Sequence, residues 1–383
     1  MFNTSLSEEV EELRIQVARF ADDVVAPVAA LHDEQKSFPY EVVTQMAQMG
    51  LFGLPFPEEL GGMGGDYLTL CVALEELARV DQSVSITLEA AVSLGAMPVY
   101  RFGNDEQKRR WLPDLIAGKA LGAFGLTEAG AGSDAGALRT TAVHDGDGWI
   151  INGTKEFITN SGTTMTTLIT VLAVTGTTAV GRPEFTSFLV PADAAGVQVQ
   201  PAYNKVGWNA SDTHPITFTD VRVGADALLG ERGRGYANFL SILDEGRIAI
   251  AALATGAAQG CVDESVKYAN AREAFGRPIS EFQSISFMIA DMEARAQVSR
   301  AMWRHAASLM QRGLPFKKEA AIAKLTAADA AMQNARTATQ IHGGYGFMNE
   351  YPVARHYRDS KILEIGEGTN EVQRILIARE LGL

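Results

Sequence analysis

The sequence predicts an α+β chain of three consecutive units: a helical unit over residues 1–120, a compact all-β unit over 121–230 and a helical bundle over 231–383. Three observations carry this. Apolar residues recur at helical spacing through the first unit. Short segments rich in Val, Ile, Thr and Phe, parted by Gly, Pro, Asp and Asn, fill the second. Long Ala-rich stretches of helical period (238–270, 281–311 and 317–341), joined by short connections, fill the third. The strands form one block between helices and do not alternate with them, which argues against a doubly wound sheet.

The elements follow in order. In MFNTSLSEEVEELRIQVARF, Val10, Leu13, Val17 and Phe20 mark an amphipathic helix, and Ser7 ahead of Glu8 and Glu9 is a helix start. That stretch has no basic segment followed by an apolar core, so it is not a signal peptide. Pro55, Pro57, Gly61, Gly62, Gly64 and Gly65 predict a loop, and EQKRRWLPDLIAG after Asn104-Asp105 another short helix. WIINGTKEFITN, TLITVLAV, TSFLVP, VQVQP and PITFTDVRV are the strands of the middle unit. IAIAALATGAAQGCV (248–262) is too short and too rich in Ala and Gly to span a bilayer. It reads as a buried helix packed closely on its neighbours, and no membrane span is expected.

The 383 residues carry a net charge of −13, which disfavours nucleic-acid binding, since that needs basic faces. The two cysteines, Cys71 and Cys261, sit among apolar residues and form no CxxC. A reducing, intracellular setting fits, and a cytoplasmic location is expected, with a processed organellar form as the alternative.

Several stretches are candidates for chemistry. GAGSDA (130–135) matches a loose dinucleotide fingerprint, but ALRTTAVHDGDGWIING follows as strand and hairpin where that motif needs a helix. Its glycines, with Thr127 and Ser133, could cradle something flat or anionic; an ordinary turn is the equal alternative. The six histidines (His32, His144, His214, His305, His342 and His356) show no metal-ligand spacing and read as structural or surface residues, so no metal is expected. Asp244 and Arg247 stand three apart on a helix, where surface pairing is the simple reading. In IGEGTNEVQR (365–374), Glu367 stands alone between Gly366 and Gly368. A surface turn at the start of the last helix would explain it, with the carboxylate favoured by the helix dipole.

Together these stretches say more. FGLTEAGAGSD, KEFITNS, LDEGR, AREAFGRPISEFQ, QIHGGYG and EGTNEVQR occur in the order and approximate spacing of the acyl-CoA dehydrogenase family, which the chain resembles over nearly its whole length. The resemblance implies an N-terminal helical domain, a central β-barrel-like or β-sandwich domain and a C-terminal four-helix bundle. It implies bound FAD and a homotetramer built as a dimer of dimers. The implied reaction is α,β-dehydrogenation of an acyl-CoA to the trans-2-enoyl-CoA, with electrons passed to an electron-transfer flavoprotein, as in fatty-acid metabolism.

The resemblance also assigns roles. Glu367 occupies the place of the base that removes the α-proton, and Gly366 and Gly368 let main chain and carboxylate approach the substrate. Some members carry the base at the position of Gly246; Glu245 is one residue, about 100°, off that direction. Leu126, Thr127, Gly132 and Ser133 resemble the flavin cradle, with Ser133 also near the CoA chain. Phe157, Ile158 and Thr159 resemble the segment flanking the flavin, where many relatives have Trp at the Phe157 position. Asp244 and Arg247 are expected at the CoA part of the substrate. Arg272 is expected at the FAD pyrophosphate, with Phe275, Gln283 and the run Gln340, Ile341, His342, Gly343 and Gly344 meeting the rest of an FAD across a subunit boundary. Thr369, Asn370 and Glu371 are expected to close over the cofactor. Many straight-chain relatives have Tyr where this chain has Gly366. A wider pocket for short or branched acyl chains is one reading, and a common variant with the space refilled is the other. Two alternatives to a dehydrogenase stand beside it: a sibling flavoenzyme that uses oxygen directly, an acyl-CoA oxidase or monooxygenase, and a non-catalytic acyl-CoA-binding protein. Oxidases are usually longer, monooxygenase relatives usually lack the EGT glutamate, and no decay of the motifs supports the last.

Overall fold

The structure, a computed structural model, describes residues 6–383. Its first helices are α1 (Glu8–Phe20), α2 (Ala26–Gln35), α3 (Tyr40–Gln48), α4 (Tyr67–Val80), α5 (Gln82–Glu89), α6 (Met97–Phe102) and α7 (Asp105–Ile116). Their starts are written in side chains. Ser7 accepts from Val10 N at 3.3 Å, Asp66 from Thr69 N at 2.9 Å, Asp81 from Val84 N at 2.9 Å and Asn104 from Gln107 N at 2.9 Å. Two joints are π-helical, Ala21–Val25 between α1 and α2 and Ala90–Ala96 between α5 and α6. The second makes one continuous helix of Gln82–Phe102. That helix is apolar enough to cross a membrane by composition, but 89% of its most apolar 18-residue stretch is buried inside the protein, so it is a core helix.

The middle unit holds β1 (Leu121–Gly125), β2 (Thr141–Asp145), β3 (Gly148–Thr159), β4 (Thr166–Thr177), β5 (Pro183–Pro191), β6 (Val197–Val199), β7 (Thr213–Gly224) and β8 (Leu228–Leu229). They form a mixed sheet in the order β6-β7-β3-β2-β4-β5-β8, with β1 parallel to β4. The predicted hairpin is β2–β3, with Asp145 opposite Gly148. Trp149, Ile151, Val171, Phe188, Ile216 and Phe218 form a core of this unit's own.

The C-terminal unit begins with α8 (Gly235–Ala271), a short hairpin of β9 (Glu273–Ala274) and β10 (Arg277–Pro278), α9 (Gln283–Gln311) and α10 (Lys317–His342). It ends with α11 (Pro352–Ser360) and α12 (Asn370–Glu380). The Gly- and Ala-rich run does pack closely. A Cβ at Gly256 would overlap the carbonyl of Glu75 on α4, and one at Gly260 the carbonyl of Arg79. On the other side of α4, the buried Glu75 carboxylate accepts from Arg300 Nε at 2.6 Å and Trp303 Nε1 at 2.9 Å, both on α9. The N-terminal and C-terminal units therefore share one core, in which α8 lies backbone to backbone on α4.

Because that contact involves main chain, it cannot be relieved by a rotamer change. Gly256→Ala is expected to destabilise the protein by about 2 kcal/mol, in the range of overpacked cores. Thermal unfolding of the variant beside the wild type checks this through a lowered midpoint.

Candidate active site

Glu367 sits at the apex of a turn between Lys361–Glu364, a 3₁₀ segment, and α12. Its φ is 51°, in the left-handed region that side chains seldom adopt, and Gly368 follows at 91°. Three neighbours hold this backbone. Lys324 Nζ on α10 donates to Gly368 O at 2.8 Å, and Gln373 Nε2 donates to Gly368 O at 2.9 Å and to Glu367 O at 3.3 Å. Thr369 caps α12, accepting from Val372 N at 3.3 Å. Lys324 and Gln373 are both fully buried, so the turn is fixed from inside the protein.

The turn carries the side chain over α8. A Cβ at Gly246 would overlap Glu367 Oε2, so the carboxylate lies where a side chain at 246 would begin. The EGT turn and position 246 thus converge on one point. Glu245, one residue away, is drawn off to Arg101 at 3.0 Å. Glu367 as a residue is partly covered, yet both its carboxylate oxygens are buried and neither accepts a hydrogen bond from a neighbour. Burial pushes this carboxyl up to about 7, against the pull of the Lys324 and Arg247 charges and of the Glu89 carboxyl beside it. Burial likewise brings the Lys324 ammonium down to about 8, with the Glu367 charge opposing.

Asp244 and Arg247 are bonded to one another, but in the interior rather than on the surface, with side chains 10% and 6% exposed. Lys317 Nζ adds an ion pair to Asp244 at 3.0 Å. Arg247 Nε is buried without an acceptor, a donor left free beside the Glu367 carboxylate.

The remaining predicted residues fall into groups. Leu126 and Ile158 are buried, Thr127 and Thr159 half-buried, and Gly132 and Ser133 exposed. Phe157 is 63% exposed at φ 62°, its ring stacked on Tyr203 at 5.1 Å. Glu128 turns inward and braces this loop, accepting from Lys155 Nζ at 2.8 Å, Thr140 N at 2.9 Å and Arg139 N at 2.6 Å. Elsewhere Arg272, Ile341, His342, Gly343 and Gly344 line one pocket with Tyr268 and Tyr345. His342 stacks on Tyr268 at 4.1 Å, and its Nδ1 lies 2.8 Å from Ala338 O. Phe275, 96% exposed, and the exposed Gln283 and Gln340 lie outside that lining. Asn370 Nδ2 donates to Asp329 at 2.8 Å, and Glu371 faces solvent. A Cβ at Gly130, Gly132, Gly343 or Gly344 would meet nothing within 4 Å. These glycines leave main chain uncovered, and with the exposed face of the Phe157 ring and the Arg272 guanidinium the residues present fit FAD.

Comparison with known proteins agrees along the whole chain. The family models described as acyl-CoA dehydrogenase N-terminal, middle and C-terminal domains match residues 7–119, 123–221 and 233–382. The chain belongs to the acyl-CoA dehydrogenase family. As an acyl-CoA dehydrogenase it is an oxidoreductase acting on acyl-CoA thioesters with FAD. The probable acyl-CoA dehydrogenase YngJ of Bacillus subtilis is 46% identical, over 99% of each chain. The structure of butyryl-CoA dehydrogenase from Megasphaera elsdenii superposes with a TM-score of 0.95 at 39% identity, again over 99% of each chain. A structure described as an electron transferring flavoprotein of Acidaminococcus fermentans also reaches a TM-score of 0.95, at 41% identity over 99% of each chain.

For this acyl-CoA dehydrogenase, motif reading missed Glu89, Lys324 and Gln373 and the steric role of Gly246. A signal was present for two of them: Glu89 in SITLEAAVS and Lys324 in AAIAKLTAA are lone charges inside apolar helical runs.

The burial of Glu367 fixes how its ionisation affects stability. Its carboxyl is about 7 in the folded chain against an ordinary value of 4.5. Between those pH values the unfolded chain has lost the proton and the folded chain keeps it, so stability falls as pH rises through the window. Glutamine does not titrate. Glu367→Gln is therefore expected to match the wild type near pH 4 and to exceed it by on the order of 3 kcal/mol at pH 8. Unfolding of the apoprotein at both pH values tests the sign.

Proposed function

We propose that this chain oxidises short acyl-CoA thioesters between Cα and Cβ, giving the trans-2-enoyl-CoA, with Glu367 as the base for the α-proton. The observation that carries the reading is the Glu367 carboxylate, buried without a donor at the tip of a turn clamped from below. A thioester α-C–H is a weak acid, and a carboxylate relieved of water is a stronger base than one in solution. The α-C–H bond breaks, the proton goes to Glu367, and the negative charge developing at the thioester oxygen needs donors already in place. The main-chain N–H of Glu367 is one such donor. Bound FAD supplies the acceptor for the hydride that leaves Cβ.

The other residues are assigned by the same reading. Leu126, Thr127, Gly132, Ser133, Phe157, Ile158 and Thr159 hold the flavin end. Arg272, whose fork suits a pyrophosphate, acts with Phe275, Gln283, Gln340, Ile341, His342, Gly343 and Gly344 on the far end across a subunit boundary. The exposure of Phe275 fits a place at a subunit boundary, and by family resemblance the assembly is a homotetramer made as a dimer of dimers. Asp244 and Arg247 meet the CoA side of the substrate, and Thr369, Asn370 and Glu371 close the cofactor end. An electron-transfer flavoprotein takes the electrons, in the cytoplasm. The match to a butyryl-CoA dehydrogenase favours short chains. A Cβ at Gly366 would meet only Ile362, at 3.5 Å and beyond, so space is open beside the base and branching near Cα or Cβ fits.

The test is anaerobic mixing of the yellow protein with butyryl-, isobutyryl-, 2-methylbutyryl-, isovaleryl-, glutaryl- and long straight-chain acyl-CoA, following the visible flavin band. Short chains are expected to bleach it, and Glu367→Gln to slow bleaching by about 10²–10⁴-fold, the usual worth of a general base. Gly366→Tyr is expected to lose the branched substrates selectively; equal loss on butyryl-CoA would refute the role given to that space. Rapid peroxide formation in air without an added acceptor would mark an oxidase instead.

A further inference from the structure

Glu89 is the last residue of α5, where the helix widens into the π-helical stretch Ala90–Ala96. Its side chain is fully buried, and apart from the nearby Ser93 hydroxyl no donor reaches either carboxylate oxygen. It lies within hydrogen-bonding reach of Glu367. Two buried carboxyls thus meet, and neither is bound by a cation.

The charges around the pair are unequal. Lys324 on α10 and Arg247 on α8 face Glu367. Lys324 in turn faces Glu364 and Asp329, and Arg247 is bonded to Asp244. The groups around Glu89 are Ser93 one turn on, whose hydroxyl is 2.9 Å from Tyr67 Oη, and Tyr67 and Cys71 on α4. Glu245, which also faces Tyr67, is bound to Arg101. No cation faces Glu89 among these. Two touching carboxyls in a dry site cannot both ionise, and a single proton between them gives both a partner. With the cations on one side only, the negative charge belongs on Glu367 and the proton on Glu89.

We propose that Glu89 is a positioning residue of this active site: it stays protonated and donates its O–H to the Glu367 carboxylate, keeping the base ionised and aimed before substrate binds. This rests on the reading of Glu367 as the base. When the α-C–H bond breaks, the new O–H forms on Glu367, and the Glu89 proton does not leave. Burial raises the Glu89 carboxyl well above its ordinary value, in keeping with a held proton.

The donor, and not the carboxyl as such, is what the role requires. Glu89→Gln keeps an N–H that can donate, and Glu89→Leu keeps the bulk and loses the donor. Anaerobic flavin bleaching by saturating butyryl-CoA, followed against pH, is expected to leave the midpoint in place for Glu89→Gln. For Glu89→Leu it moves up by at least one pH unit, with the rate down about tenfold at pH 7 and recovered at pH 9. Infrared difference spectra of the resting enzyme at pH 8 supply a readout independent of turnover. A protonated-carboxyl band is expected in the wild type and in Glu367→Gln, and its loss in Glu89→Gln. If Glu89→Leu does not fold, the band alone decides. Equal slowing in both Glu89 variants with unmoved midpoints, or a band lost from Glu367→Gln and kept in Glu89→Gln, overturns the proposal. Bleaching undiminished in Glu367→Gln would instead refute the reading of Glu367 as the base.

Discussion

A group that takes a proton from carbon has to be shielded from water and kept from direct bonds to cations, and a buried carboxylate in that condition is costly to keep. The Glu367 carboxylate is in that condition, and the surrounding fold is arranged to hold it there. Its backbone is in a conformation unfavourable for any residue with a side chain, and Lys324 and Gln373 hold the turn through its carbonyls. Those two residues come from α10 and α12, and the surface on which the carboxylate rests comes from α8. Glu89 comes from the N-terminal unit. The site exists only where units distant in sequence are packed together, and the seam of small residues between α4 and α8 brings them close.

The buried lysines show how the same kind of group serves two ends. Lys155 is fully covered and brought down to about 8, yet its ammonium has a full partner in Glu128 and stabilises a loop. Lys324 is covered and lowered to a similar degree, but its hydrogen bond goes to a carbonyl and its charge falls on a carboxylate that it does not touch with a hydrogen bond. A direct Lys324–Glu367 bond would weaken that carboxylate as a proton acceptor. Binding the main chain of the turn lets the cation favour ionisation of Glu367 at a distance.

The long C-terminal helices are legible in the sequence because Ala-rich runs of helical period admit little else: 238–270, 281–311 and 317–341 became Gly235–Ala271, Gln283–Gln311 and Lys317–His342. The strands are legible through β-branched residues between turn formers. The π-helical stretch after Glu89 leaves no mark in composition, since it depends on how α5 packs. Glu367 could be found by resemblance, but the burial of its carboxylate is a property of the helices packed around it. Asp244 and Arg247 pair as their spacing predicts, but whether an i,i+3 pair faces water depends on what lies above it, here Lys317 among others.

Three glycines surround Glu367, and they are not equivalent. Gly246 is required because any side chain there would occupy the place of the carboxylate. Gly368 is required because its φ of 91° is one that side chains rarely adopt, and a Cβ there would also come within 2.8 Å of Gln373 Nε2, one of the groups that clamp the turn. Gly366 meets neither condition: its backbone is not left-handed, and a Cβ there would make only ordinary contacts with Ile362. A residue other than glycine at 366 is therefore compatible with the base, whereas one at 246 or 368 is not. Of the three glycines by the carboxylate, 366 is the one that can carry a side chain without backbone strain or overlap with the carboxylate. Selection for different acyl groups can act there while the rest of the turn stays fixed.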